Sequence, residues 1–291
     1  MKNLLTDIAG VRVGHADDDA LASGVTAVIF DRPVVAAIDV RGGGPGTREG
    51  ALLDVANTVE RIDAIALSGG SAFGLEAGGG VQAWLAEQGR GFVVREAVIP
   101  IVPGAICFDL LNGGNKKWGR FAPYRDLGYA AAAAAAADFA LGTVTVGDGP
   151  WFWAAPFELE SEYGGRGLPK VFTPDMLKMR IKGGPAATET ESTTLAVVVT
   201  DAALTKTQAK RLAMIAQTGF ARAIYPVHAP MDGDVLFAAA TGERPIDPLI
   251  GLTELGMVAA NVVARAIARG VHAATILPLP GALPAWQDLF G

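Results

Sequence analysis

The run Thr194-Leu195-Ala196-Val197-Val198-Val199-Thr200 contains no charge and no polar/apolar alternation. A strand written this way belongs to a sheet covered on both faces, because a wet face would require a polar residue at every second position. Val25–Phe30, Val34–Val40, Ala64–Leu67 and Val235–Ala240 are further runs of strand length, bounded by Gly, Pro or Asp. Helical patterns separate them. Phe73–Glu87 places Leu75, Gly79, Trp84 and Leu85 on one face, and the three glycines at 78–80 suit close packing on a neighbour. The alanine run Ala130–Ala137 is a strong helix former. Thr205-Lys206-Thr207-Gln208 is a capping box, and Gly219 is placed to end the helix it opens. From Leu252 to His272 the pattern is amphipathic. Glu254, Asn261, Arg265 and Arg269 lie on one side, with Leu255, Val258, Ala259, Val262, Val263 and Ala266 on the other. Buried strands with helices before and after them predict a layered α/β fold.

Composition narrows the function classes. Apolar residues make up 51% of the 291 and charged residues 19%, which excludes a disordered chain. Twenty-four Lys and Arg against 30 Asp and Glu leave a net charge of −6 with no basic cluster, so neither nucleic acid nor an anionic membrane surface is an expected partner. The single cysteine, Cys107, excludes an intrachain disulfide and a Cys-based zinc site. With only His15, His228 and His272 besides, no metal or organic cofactor is expected. Met1–Val13 mixes Lys2, Asp7 and Arg12 into its apolar residues and has no signal-type core. The longest apolar run, Tyr129–Ala137, falls far short of the roughly 20 residues that span a bilayer. A cytoplasmic, soluble chain is the expectation.

Length gives a soft prior of about two domains. Between Gly142 and Ser192 the texture changes to loop: Trp151, Phe152, Trp153, Phe157 and Tyr163 crowd together, then glycines and prolines follow. The polar stretch Thr188–Ser192 is the clearest boundary.

Four segments carry candidate chemistry. Arg41-Gly42-Gly43-Gly44-Pro45-Gly46-Thr47-Arg48 superficially resembles a phosphate loop, but it lacks the Gly-Lys-Ser/Thr ending and reads better as a turn after a strand. Ser68-Gly69-Gly70-Ser71-Ala72-Phe73 follows a strand and opens a helix. It departs from a nucleophile elbow at Phe73, and a Ser71 triad with His228 as base and Asp232 as orienter runs in the wrong chain order. The N–H groups at that helix start suit a substrate carboxylate or carbonyl instead. Met231-Asp232-Gly233-Asp234 taken alone is an Asp-Gly turn.

Ser192-Thr193-Thr194-Leu195 is the most informative junction, a polar segment and a hydroxyl residue leading at once into a buried strand. N-terminal-nucleophile chemistry needs this arrangement. The hydroxyl attacks its own preceding carbonyl, the chain breaks, and the hydroxyl residue becomes a new N-terminus. Its free α-amine, with a reference pKa of about 7.7–8.0, then serves as general base without a histidine. The β-branch of threonine helps to aim the oxygen. On composition alone, a threonine-rich strand entry explains the same residues.

The segment Thr193–Lys206 resembles the start of the small subunit in the DmpA-type self-processing aminopeptidases, relatives of the β-peptidyl aminopeptidases and nylon-oligomer hydrolases. Thr6–His15 resembles the opening of that family, Leu67–Leu75 its glycine-rich turn and Met231–Asp234 its acidic motif, all in the right order. The resemblance implies a four-layer αββα sandwich, with residues 1–192 as the large-subunit portion and 193–291 as the small, joined in one structural domain. It implies self-cleavage between Ser192 and Thr193, and release of N-terminal residues from short peptides, amides or amide oligomers. By position Thr193 is the nucleophile, and Asp232 and Asp234 support the new N-terminus and its hydroxyl. Gly69, Gly70, Ser71 and Phe108 fall on the substrate-binding side. A homo-oligomer, a tetramer by resemblance, is also implied.

Three departures stand out. Ser192 replaces the usual Asn or Gly, and Phe108 stands where active members often carry Tyr. After Ala140-Leu141-Gly142-Thr143 the family usually continues with a glycine-rich, Lys-bearing segment and a strand whose Asn helps to form the oxyanion hole. Here the chain passes almost directly to Val146-Gly147-Asp148. Loss of one oxyanion donor costs about 10²–10³ in rate. These departures carry an alternative reading, a catalytically silent homologue with a binding or scaffold role. A third reading is acyl transfer of the ornithine-acetyltransferase type.

Overall fold

A computed structural model describes residues 4–135, 144–178, 193–279, 282 and 284–291. Its strands are β1 (Val11–Asp18), β2 (Ser23–Val40), β3 (Gly46–Arg48), β4 (Arg61–Ser68), β5 (Phe92–Val94), β6 (Ala97–Ile99), β7 (Gly104–Ile106), β8 (Leu195–Ala202) and β9 (Val235–Arg244). Its helices are α1 (Ala77–Glu87), α2 (Tyr124–Ala133), α3 (Lys206–Ala216), α4 (Thr218–Ala223), α5 (Ile250–Ala273) and α6 (Trp286–Phe290).

One strand organises the rest. The two apolar runs Val25–Phe30 and Val34–Val40 are continuous as β2, whose register against β4 slips between Ile29 and Val34. Asp31, Arg32 and Pro33 are exposed at the slip, where Pro33 has no N–H to give a neighbour. β2 pairs along its first half with β1 and along its second half with β9. The path β3-β7-β4-β2-β9-β8 is antiparallel except for the parallel pairs β4–β7 and β8–β9.

The side chains divide this sheet into two layers. Val28, Phe30, Ile62, Ile65 and Ala105 from the first half pack with Val199, Val235, Phe237 and Ala239 from the second, forming a core between two sheet faces. Outside the first half, Val25, Ala27 and Ile29 meet Val81 and Leu85 of α1 and Tyr124, Ala131 and Ala132 of α2. Outside the second, Val35, Ala37, Leu236 and Ala238 meet Leu212 and Ala213 of α3, Phe220 of α4 and Ala259 and Val263 of α5. Helix, sheet, sheet, helix: this is the expected αββα sandwich.

Several local expectations shift. β8 is an edge strand, so Leu195–Val198 are only half-buried rather than sealed on both faces. The helix expected at Phe73–Glu87 starts as a 3₁₀ turn over Ser71–Glu76 before α1. There the glycines do serve close packing, since a Cβ on Gly80 would fall 1.9 Å from the Arg125 carbonyl oxygen of α2. The capping box at Thr205 forms, with Gln208 N–H donating to Thr205 Oγ1 at 3.2 Å. Gly219 does not end α3. It lies inside α4, where its missing side chain lets the helix approach Ala260 and Val263 of α5. The alanine helix is shorter than its sequence run, ending as α2 at Ala133, and Ala136 and Ala137 lie outside the described residues.

α5 is long and apolar enough, by length and composition, to cross a membrane, unlike the short run taken as the longest from sequence. Its Leu252, Ala259, Val263 and Ile267 are core residues, and Arg265 pairs with Glu162, which is the setting of a core helix. Its buried stripe is rotated from the expected one. Val258 and Val262 face outward, 51% and 43% exposed.

Candidate active site

The parallel β8–β9 pair brings Thr193 and the acidic motif together. Leu195 stands opposite Val235, so the residues just before the two strands meet at one end of the sheet. Val235 N–H donates to the Thr194 carbonyl oxygen at 3.0 Å, and Thr194 N–H donates to Asp234 Oδ1 at 2.8 Å. Asp234 is 2% exposed, and its Oδ2 accepts the His228 backbone N–H at 3.1 Å and lies 2.9 Å from His228 Nδ1. Asp232 Oδ2 accepts the Ala229 N–H at 2.7 Å, closing the loop that carries both acids. Between them Gly233 leaves the space that Thr193 occupies: a Cβ there would fall 2.7 Å from Thr193 Oγ1. The Asp-Gly-Asp spacing is therefore a cradle as well as a turn. Ser192, the residue before the expected cleavage point, lies outside the described residues, as does Thr188–Ser192 as a whole.

The glycine-rich loop after β2 forms the other wall. Arg41 N–H donates to the Asp234 carbonyl oxygen at 3.1 Å and Gly44 N–H to that of Asp232 at 2.8 Å. A Cβ on Gly42 would lie 2.1 Å from the Asp232 carbonyl oxygen, so only glycine allows this approach. These N–H groups are spent on the acidic loop rather than free for a phosphate. The Arg41 side chain is held by Asp39, Nε to Oδ2 at 2.7 Å, and Lys210 reaches the other Asp39 oxygen at 3.2 Å.

β3 starts just beyond that loop, with Gly46 opposite Ile106 of β7, and Ile106 stands opposite Ser68 of β4. This links the Gly69–Ser71 turn and Phe108, which follow β4 and β7, through β3 to the loop that walls the Thr193 cradle. Three N–H groups of this turn are already used. Gly69 donates to the Gly24 carbonyl oxygen at 3.0 Å, Ser71 to that of Cys107 at 3.0 Å, and Gly70 to Asp109 Oδ1 at 2.8 Å. Asp109 also accepts the Ser23 hydroxyl, which in turn accepts from Tyr124 at 3.1 Å. Burial pushes the Tyr124 phenol up to about 12, so it remains a donor. Contact of this turn with substrate thus does not run through those three N–H groups. The triad weighed for Ser71 is also corrected: His228 Nδ1 bonds Asp234, while Asp232 bonds the Ala229 N–H.

Asp232 sits close to Asp234 in partial burial. Desolvation, followed by the charge of Asp234, raises its pKa above the ordinary carboxylate value against the Ala229 hydrogen bond and the influence of His228, which lower it. The folded state therefore keeps this proton to a higher pH than the unfolded chain, and stability from this group falls as pH rises through that window. Asp232→Asn is expected to gain thermal stability relative to wild type on going from pH 4 to pH 7.5, while losing activity. Melting curves of the two proteins at both pH values check the sign.

Among the described residues no group of three or more His, Cys, Asp or Glu is placed to hold a metal ion. Two of the partners found here, His228 and the Arg41–Gly44 loop, were not assigned to this site from sequence. The only signal was their position directly before the acidic motif and directly after β2.

A sandwich of two sheets between helices, with a hydroxyl at the head of a strand beside an Asp-Gly-Asp loop, defines an N-terminal-nucleophile type of hydrolase fold. The model of peptidase family S58 matches residues 3–154 and 162–280, and the chain belongs to that family. It is a hydrolase of peptide or amide bonds of the aminopeptidase type. An uncharacterized aminopeptidase of Mycobacterium bovis is 37% identical over 349 aligned positions, covering 99% of this chain and 98% of that protein. The alignment is longer than the 291 residues present here. A 6-aminohexanoate-oligomer endohydrolase of Paenarthrobacter ureafaciens is 25% identical, over 90% of this chain and 84% of that protein. The L-aminopeptidase D-Ala-esterase/amidase of Ochrobactrum anthropi, described as a variant of the Ntn hydrolase fold, superposes with a TM-score of 0.66 at 19% identity, over 99% of this chain and 92% of that one.

Proposed function

We propose that the chain cleaves itself between Ser192 and Thr193 and then releases N-terminal residues from short peptides, amides or amide oligomers. The observation that carries this is the Thr193 hydroxyl set against Gly233, between Asp232 and Asp234, with the adjoining Thr194 N–H on the Asp234 carboxylate. Thr193 Oγ1 attacks the scissile carbonyl. The α-amine freed by cleavage takes the hydroxyl proton and delivers it to the leaving amine as the C–N bond breaks, and water then hydrolyses the Thr193 ester to release the N-terminal residue. Asp232 and Asp234 orient that amine and stabilise the ammonium once formed. Gly69, Gly70, Ser71 and Phe108 shape the substrate side. Residues 1–192 and 193–291 are the two portions of one domain, since β9 and β8 of the second complete the sheet begun by β2 of the first.

Denaturing electrophoresis and N-terminal sequencing test this directly. A fragment beginning at Thr193 is the expected result, and a chain that stays intact on incubation counts against it. The silent-homologue reading draws on the length of the alignment with the mycobacterial relative, 349 positions against the 291 residues of this chain. Turnover of an aminoacyl anilide by the wild type, lost in Thr193→Ala, decides between the two.

The protein works in the cytoplasm as a homo-oligomer in this reading. The ribbon β5–β6 supports the assembly: Phe92, Val93, Val94, Val98 and Ile99 are each 42–63% exposed. A separate two-stranded ribbon is marginal in water and gains stability when covered.

A further inference from the structure

Three hydrogen bonds end on the buried Asp234 carboxylate, and two of them come from one residue. Thr194 N–H binds Oδ1 at 2.8 Å, while the His228 backbone N–H and ring Nδ1 both bind Oδ2, at 3.1 and 2.9 Å. A carboxylate oxygen only accepts, so Nδ1 carries the hydrogen. His228 holds this geometry with φ at +57°, in the left-handed region that non-glycine residues seldom occupy. Such a backbone persists where its surroundings fix it, and it gathers at functional sites. Here the surroundings are visible. The Phe220 ring, fully buried, lies 6.1 Å from the imidazole, and the next residue, Ala229, donates to Asp232 and accepts from Gly43.

We propose that His228 is a positioning residue for the reaction at Thr193: its Nδ1–H pins Asp234 Oδ2, which turns Oδ1 toward the Thr193–Thr194 backbone. The proposal rests on the reading of Thr193 as nucleophile. Rotation about the last bond of an aspartate is soft, so a carboxylate held by one oxygen swings. Bonds to both oxygens fix its plane, and the ring bond is the charge-assisted one that involves a side chain. A fixed carboxylate holds the adjacent amine and hydroxyl in one geometry, and misplacement of such groups is costly in rate.

His228→Gly and His228→Asn separate side chain from backbone. Both residues accept the left-handed conformation, but only asparagine offers an amide N–H close to the position of Nδ1. The glycine variant is expected to lower kcat on an aminoacyl anilide, and the rate of self-cleavage, about tenfold or more, the worth of one hydrogen bond to a charged group. KM stays near the wild-type value, and His228→Asn recovers most of the loss. Wild-type kcat in His228→Gly, with Thr193→Ala inactive, overturns the role of His228 and leaves the nucleophile in place. Equal losses in the two variants overturn it as well, since the donor then makes no difference. Activity in Thr193→Ala, or a wild type that neither turns over nor cleaves itself, overturns the underlying reading and this proposal with it. Histidine-selective ¹⁵N labelling of the wild type gives a readout independent of variant folding. His228 protonated at Nδ1 is expected, and an Nε2–H tautomer there overturns the proposal.

Discussion

Thr193→Ala is expected to remain folded and to lose both self-cleavage and turnover, by about 10³-fold or more. The substitution deletes one hydroxyl and one methyl from a partly exposed residue at the mouth of β8, so little packing is lost. The hydrogen bonds that define the cradle involve the Thr194 N–H, the Asp234 carboxylate and the loop carbonyls, none of which belongs to the Thr193 side chain. Melting temperature therefore stays within a few degrees while an aminoacyl anilide is no longer hydrolysed, and electrophoresis shows one intact chain. Thr193→Ser keeps the nucleophile but frees its χ1, so it is expected to retain part of the activity. An alanine variant with near-normal turnover would remove Thr193 from the mechanism and return the junction to a threonine-rich strand entry.

Asp234→Asn is expected to lose about 10²-fold or more in turnover, and about 1–3 kcal/mol of stability. The carboxylate accepts at both oxygens, from Thr194 on one side and twice from His228 on the other. An amide has only one acceptor. Whichever way it flips, its NH₂ faces a donor, and at 2% exposure water does not repair the clash. Steady-state kinetics and urea unfolding measure the two losses separately. If the motif were only a turn, Asp234→Asn would keep near-normal activity and self-cleavage.

Much of this was legible in the sequence for a local reason. The strands at Val25–Phe30, Val34–Val40, Ala64–Leu67 and Val235–Ala240 follow from runs of apolar residues cut off by Gly, Pro or Asp. The α3 start followed from a capping box, a contact within four residues. What shifted was decided by neighbours. Gly219 reads locally as a helix stop, yet it lies within α4 because α5 passes too close for a side chain. Val258 and Val262 of α5 face outward because the helix turns Leu252, Ala259, Val263 and Ile267 to the core instead.

The candidate site divides along the same line. The loop-to-strand junction singled out Thr193 locally, but its role and those of Asp232 and Asp234, an ordinary turn on local pattern alone, could be named from sequence only through the family resemblance. That these residues meet was settled only by the parallel pairing of β8 with β9, across some forty residues of chain. The β2–β9 pairing sets the Arg41–Gly44 loop, which locally is an ordinary glycine turn, against the acidic motif, and the β2–β4 and β4–β7 pairings close the N–H groups of Gly69–Ser71 onto Gly24, Asp109 and Cys107. Residue chemistry and short-range pattern are properties of the chain, whereas the partner of each hydrogen-bonding group depends on which distant segments the buried sheet brings together.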